Sequence, residues 1–339
     1  MHMSDALLSP IVGGGFWVVS ASILAYSAKK IKDDPEESQI PMMGVMSAFV
    51  FAAQMINIAI PGTGSSGHLG GGVLLAIFLG PYRAFLAIAS ILLVQCLMFA
   101  DGGLMALGAN IFNMGFIGAL LAYPFIWKPL AGDCSSKSKI ITATMLASIA
   151  TLVLGAFGVV FQTVISGASD LSLTTFTLFM VPIHVAIGVV EGLVTTGIVL
   201  FVIKLRPDLL QSVSNNKTGF SWKAPVVIFS CAVLIAGLFS WYASNNPDGL
   251  EWSIQKASGQ EELESPEDGV HSFFGNIIEN ISIFPDYEFK KSEDQTNAAA
   301  KAGTSVSGLI GIVLTMMVAV ILGLVFRKRK KKSLPDVNH

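Results

Sequence analysis

The chain begins Met1-His2, which puts three nitrogens within reach of one cation: the α-amine, the His2 amide once deprotonated, and the His2 imidazole Nδ1. They close adjacent five- and six-membered chelate rings in a nearly planar set. That set suits nickel(II) or copper(II), whereas calcium and magnesium prefer oxygen. Ragged termini also carry incidental histidines, so a further donor matters. The glycine-rich stretch 61–72 supplies His68, expected on the same side of the membrane as the N-terminus. Glycine lets backbones approach closely, so this loop can bring His68 to the fourth corner of a square. The alternative is a flexible turn with a solvated histidine.

Other polar residues fall inside apolar stretches. His184 and Glu191 are seven apart, on one face of a helix, and fit an inter-helix hydrogen bond or a path for metal passage. Gln95, Asp101, Asn110 and Asn113 mark the interface of neighbouring spans and read as architecture. Met42, Met43, Met46 and Met55 read as gap-filling side chains rather than a soft-metal stripe. Cys96, Cys134 and Cys231 have no paired or metal-ligand spacing and are taken as packing residues. No G-x-x-x-x-G-K-[ST], H-E-x-x-H, G-x-S-x-G or C-x-x-C occurs, so the chain supplies no P-loop and a catalytic reading has no anchor.

The elements that position these groups follow from composition. Of 339 residues 53% are hydrophobic and 13% charged, with a mean hydropathy of +0.66; soluble domains carry about 25% charged residues. The chain is therefore an all-α integral membrane protein, and disorder, a nucleic-acid-binding domain and a disulfide scaffold are excluded. Apolar runs near 8–28, 42–60, 69–80, 84–100, 104–126, 140–164, 176–204, 224–243 and 305–326 predict about nine transmembrane segments in a polytopic bundle. The run at 69–80 ends at Gly80-Pro81 and predicts a half-span or one arm of a broken helix. Ala21 and Ala25, with Ser22 beside them, predict close helix contact, internal or with another subunit.

With the N-terminus outside, 17 of the 21 Lys and Arg fall on the inner side, including the run at 327–332. The positive-inside rule favours that orientation, which leaves the C-terminus cytoplasmic. The other four (Lys256, Lys290, Lys291, Lys301) lie in one long outer segment, 244–303, expected to be a small cap or a mobile loop. No basic residue precedes Lys29, so the first span lacks the positive region of a cleaved signal. A polar stretch, 206–223, reads as a cytoplasmic linker between a seven-span unit, 1–205, and a two-span unit, 224–339.

Several separate motifs then match a known family. They are Met1-His2-Met3-Ser4-Asp5-Ala6-Leu7-Leu8-Ser9-Pro10, Phe49-Val50-Phe51-Ala52-Ala53-Gln54-Met55-Ile56-Asn57 and Ser66-Gly67-His68-Leu69-Gly70-Gly71, followed by Phe99-Ala100-Asp101-Gly102-Gly103-Leu104 and Ala106-Leu107-Gly108-Ala109-Asn110-Ile111-Phe112-Asn113-Met114-Gly115. Over about residues 1–205 the chain resembles the substrate-capturing M component of energy-coupling-factor nickel and cobalt transporters. The remainder, with Asn246-Pro247-Asp248-Gly249-Leu250-Glu251-Trp252, looks like the small N component fused on.

The resemblance implies metal ligands at Met1, His2 and His68 and nickel(II) as the substrate. Cobalt(II), linked to cobalamin synthesis, is the alternative, and no organic cofactor is implied. It also implies a prokaryotic inner membrane and partners: a transmembrane coupling subunit and cytoplasmic ATP-binding subunits. Here Gly-His-Leu-Gly stands where family members often read Gly-His-Leu-Leu-Gly, and Met-Ser-Asp-Ala where Ile-x-Asp-Gly is commoner. Neither departure removes a ligand nitrogen. The rival readings are a stand-alone secondary permease, for which His184 and Glu191 are thin material, and an intramembrane enzyme, for which a saturated four-nitrogen site leaves little room.

Overall fold

A segment crossing hydrocarbon must satisfy every backbone N–H and C=O internally, which leaves the helix for a chain of this composition. The computed structural model describes residues 1–33, 39–205, 223–260, 263, 269–289 and 297–326. Helix occupies part of each apolar run. Among the described residues six helices are long and apolar enough to cross a membrane: α1 (Pro10–Asp33), α4 (Pro81–Phe99), α5 (Leu107–Ala131), α6 (Lys137–Ser166), α7 (Leu173–Leu205) and α11 (Asn297–Val325). Two more apolar helices are shorter, α2 (Gln39–Gln54) and α8 (Lys223–Gly237). The glycine-rich run gives the expected half-span, α3 (Gly72–Leu79), buried throughout. At about 12 Å it is too short to cross, and Gly80, at φ +77°, breaks it from α4.

Small residues set the packing of the last two helices. A Cβ on Gly44 of α2 would meet Val320 of α11, and one on Gly311 of α11 would meet Phe51 of α2. The fused C-terminal spans thus lie against the N-terminal unit rather than apart from it. On α1 the face that packs is Gly13, Trp17, Ser20 and Ser27. Ser20 Oγ donates to Gly108 O at 2.6 Å, and Trp17 Nε1 donates to Leu104 O at 3.0 Å. Ala21, Ser22 and Ala25 lie on the exposed side of α1, so of the two expected contacts the internal one is not made among the described residues. Cys96 and Cys134 are buried as expected, but Cys231 is exposed on α8 and packs no core. The methionines of α2 are buried in the main core.

At one end of the bundle the connecting segments gather over the N-terminus. A short antiparallel hairpin pairs β1 (Ile58–Ile60) with β2 (Ser65–Gly67). The outer segment forms a cap of two helices, α9 (Gly249–Ser258) and α10 (Gly269–Ile281), followed by a 3-10 turn at Pro285–Tyr287. The expected linker, apart from Lys223, which opens α8, and the basic run at 327–332 lie outside the described residues.

Candidate metal centre

The first nine residues do not trail into solvent. Met1, Met3, Leu7 and Leu8 are buried with Leu152, Ala156, Val159 and Val160 of α6. Ser9 N–H bonds to Ser166 Oγ at the end of α6, while the Met1 side chain reaches Gly155, eleven residues deeper. That is about 16 Å into the bundle at 1.5 Å per residue.

The segment following α4 forms the cradle. Met3 N–H donates to Asn110 Oδ1 at 2.8 Å, and Met3 O accepts from Asn110 Nδ2 at 3.1 Å and Gly103 N–H at 2.9 Å. Asp5 Oδ1 accepts from Ala106 N–H at 2.9 Å. Gly103 lies so close to Asp5 that a Cβ there would overlap the carboxylate, and Gly102, at φ +82°, turns the chain beneath His2. A buried segment needs its polar groups paired, and the Asp-Gly-Gly and Asn residues of this stretch provide the pairing.

Met1, His2 and His68 converge. The His2 and His68 rings stack with centroids 5.1 Å apart and planes 18° apart. His68 Nδ1 lies 3.2 Å from Leu69 O, so that nitrogen carries the proton and Nε2 holds the lone pair. His2 Nδ1 lies 3.1 Å from Asp101 Oδ1. The Nε2 atoms of both rings are buried and have no hydrogen-bond partner among the described residues. A buried orphan nitrogen requires an explanation, and for the His68 Nε2 lone pair a cation is a direct one. The chelate expected from the sequence uses His2 Nδ1, so forming it exchanges the Asp101 contact for the metal. Among the described residues no three His, Cys, Asp or Glu side chains form a metal cage. The nitrogens gathered here belong to two imidazoles and the chain terminus itself.

The loop bearing His68 is held from three directions. Glu191 of α7 accepts from Gly70 N–H at 3.0 Å and Gly71 N–H at 3.2 Å, one on each oxygen. Gln54 Nε2 donates to Gly70 O at 3.1 Å, and Gln54 Oε1 accepts from Gln95 Nε2 at 2.9 Å. Ser66 N–H donates to Pro247 O at 2.8 Å. Gly67 packs on Ile187 so closely that a Cβ would stand 2.6 Å from it. Glu191 thus anchors the loop. His184 Nδ1 donates to Met180 O at 2.7 Å within α7. Its ring, with Met1, His68, Gly70 and Asp248, lines a cavity of about 20 Å³, room for one water-sized particle.

The C-terminal unit closes the site. Asp248 is the N-cap of α9, its Oδ1 accepting from Leu250 and Glu251 N–H at 2.7 and 2.9 Å in a capping box with Glu251. Its Oδ2 pairs with the Met1 ammonium at 2.8 Å. Tyr287 OH donates to Asp101 Oδ2 at 2.5 Å, and its ring stacks on Phe99 at 4.7 Å.

Electrostatics follow from this burial. Burial lowers the basicity of His2 against the pull of Asp101. Burial, with the adjacent ammonium and His2, pushes His68 down to about 3. Asp248 is also desolvated, which acts to raise it, but the ammonium and its hydrogen bond outweigh this and hold the carboxyl well below the usual range. Near neutral pH both imidazoles are therefore neutral, the form that ligates metal, and the acidic side chains stand behind them.

Sequence reasoning brought together Met1, His2 and His68 and missed Asp101, Asp248 and Tyr287 as neighbours of the site. For Asp248 the one local signal was Asp-x-x-Glu before an apolar turn, which marks a helix start and not a partner.

The chain matches the family model described as cobalt uptake substrate-specific transmembrane region over residues 2–209, and a PDGLE domain over 222–328. It is 30% identical over 339 residues to a Lactiplantibacillus plantarum protein named "Probable fused nickel transport protein LarMN", covering 95% of each chain. It is 30% identical over 226 residues to the "Cobalt transport protein CbiM" of Sorangium cellulosum, covering 62% of this chain and 95% of that one. A crystal structure titled as a truncated transition metal transporter superposes with a TM-score of 0.53 at 27% identity, covering 60% of this chain and 99% of the other.

Proposed function

The chain belongs to the family of the cobalt uptake substrate-specific transmembrane region, and from that membership we propose that it is the metal-capturing subunit of an ATP-driven uptake system, with nickel(II) as its substrate. The observation that carries the proposal is the convergence of the Met1 amine, His2 and His68 in one buried cluster, with His68 Nε2 left without a hydrogen-bond partner among the described residues. Amine, deprotonated amide and two imidazoles make a four-nitrogen set, and such a set favours nickel over cobalt both in stability order and in planar geometry. The full-length likeness to a protein named for nickel transport supports the same choice.

Capture is an exchange. The ammonium and the His2 amide each release one proton to solvent, the His2 ring proton moves from Nδ1 to Nε2, and the three freed lone pairs turn to the metal while the remaining amine N–H groups stay within reach of Asp248. Asp101 and Asp248 place two carboxylates behind the ligands, offsetting the charge of a divalent ion in a site shielded from water. Release inward is the task of partners: a transmembrane coupling subunit and cytoplasmic ATP-binding subunits in a prokaryotic inner membrane, whose cycle moves this subunit within the bilayer. The N-terminus faces outward and the C-terminus inward, as the basic residues dictate. The unit 224–339, linked through 206–223, loads or retains the ion through its hold on Met1 and on the His68 loop.

Equilibrium binding of nickel and cobalt to the purified chain tests this. His2→Ala and His68→Ala abolish high-affinity nickel binding if the proposal holds. Wild-type affinity in either variant overturns it, and a preference for cobalt overturns the choice of metal. Unchanged metal uptake after deletion of 216–339 would contradict the role given to the C-terminal unit.

A further inference from the structure

Helix α10 has three kinds of side along its length. Successive residues of a helix turn by about 100°, so His271, Phe274, Ile278 and the following Ser282 share one side; His271 and Ser282 are buried and Phe274 and Ile278 half-buried. Ser272, Asn276, Glu279 and Asn280 form a polar exposed side. Between the two runs an apolar flank of Val270, Phe273, Ile277 and Ile281, continued by Ile283. Phe273 is 60% exposed, Ile281 43% and Ile283 56%.

Both ends of α10 are tied to the ends of spans. His271 Nε2 bonds to Leu8 O at 2.9 Å, two residues before α1 begins. Ile283 and Phe284 N–H both donate to Met98 O at 3.1 Å, one residue before α4 ends. A helix strung between the same-side ends of two membrane spans lies across the bundle, at the level where the spans leave the bilayer. The exposed apolar strip of α1 begins at Ile11, 86% exposed and three residues from Leu8, so the lipid-facing surface of α1 runs up to the place where α10 is tied.

The geometry points to α10 as an interfacial helix whose Phe273–Ile281–Ile283 flank rests in the headgroup and acyl boundary of the membrane, on the side of the N-terminus. Its three sides then meet three environments: protein under His271 and Ile278, lipid along Phe273 and Ile281, and water along Ser272 and Asn276. Amphipathic helices lying in this plane bury their apolar face about 5–10 Å into the boundary. The flank carries no Lys or Arg, so the partner is the apolar and zwitterionic boundary and not an anionic headgroup. Through His271 the resting helix also fixes the point where the buried N-terminal segment leaves the bundle.

The test uses the full chain in phosphatidylcholine nanodiscs, in a Cys231→Ser background because Cys96 and Cys134 are buried. Single spin labels are placed through Phe273→Cys, Ile281→Cys, Ser272→Cys and Asn276→Cys, and their relaxation is measured with oxygen, which partitions into lipid, and with chromium oxalate, which stays in water. The expected result is an oxygen-to-chromium-oxalate ratio several-fold higher at 273 and 281 than at 272 and 276. Equal ratios at all four sites would place the flank in water and overturn the proposal. Protection from both reagents at 273 and 281 would also overturn it, by showing that protein covers the flank. Should Phe273→Cys fail to fold, Ile283→Cys reads the same flank.

Discussion

Glutamine at position 191 keeps the size and reach of the side chain but changes what it offers the His68 loop. Glu191 gives one oxygen to Gly70 N–H and the other to Gly71 N–H, at 3.0 and 3.2 Å. In Glu191→Gln one oxygen still accepts, while the amide NH₂ faces the second N–H, donor against donor. An orphaned buried N–H costs about 1–3 kcal/mol. That cost falls on the loop conformation that carries His68. At 1.4 kcal/mol per decade this weakens metal binding roughly 5- to 100-fold. Gln54 and Ser66 still hold the loop, so the variant folds. Competition against a chelator of known affinity reads the change, with His68→Ala as the floor. Nickel affinity within about threefold of wild type, well under one decade, in a variant whose His68→Ala counterpart has lost binding would refute the anchoring role of Glu191.

Further outcomes follow from the same contacts. Gly103→Ala drives a methyl group into Asp5, at an overpacking cost of about 1–3 kcal/mol or more; a lowered unfolding temperature together with loss of metal binding is expected, because the segment carrying His2 is displaced. Tyr287→Phe removes the donor to Asp101 Oδ2 and is expected to lower stability by about 1.5–3 kcal/mol, read as a drop in unfolding temperature of the metal-free chain. The His68 ring is pushed down to about 3 in the folded chain, whereas a free histidine titrates near 6.5. The unfolded chain therefore binds more protons between these values, and the stability His68 contributes is present above about pH 6.5 and lost as the pH falls toward 3. Thermal unfolding of the metal-free chain at pH 7 and pH 5 checks this: the wild type loses more stability on acidification than His68→Asn.

How far the sequence could be read depended on whether the deciding physics was local. The helical segments were legible because hydrocarbon forbids unpaired backbone, so apolar runs without charge have one outcome. The broken segment at 69–80 was legible because Gly80-Pro81 punctuates it. That Met1, His2 and His68 come together was legible because a glycine-rich loop announces close approach. The small-residue pattern on α1 did not tell which face packs inside the chain, because two faces of that helix carry small residues, and what selects Gly13 and Ser20 is Met105 and Gly108, far along the chain. Asp101 read as architecture because a carboxylate before Gly102-Gly103 looks the same whether it caps a turn or faces a histidine. Asp248 and Tyr287 reach the site across 247 and 186 residues, a separation no periodicity encodes. The cap was anticipated as a small aqueous piece; its hold on the N-terminal amine was not.

The central claim is that the chain's own amino terminus is a metal ligand. It is tested most directly by the metal content and absorption spectrum of the full chain with Met1 at its terminus, compared with a variant carrying one additional residue before Met1. One nickel per chain is expected, with the d–d spectrum of a diamagnetic square-planar site, lost on extension even though His2 and His68 are intact. An extended chain that binds nickel with the same affinity and spectrum would remove the α-amine from the site and contradict the account.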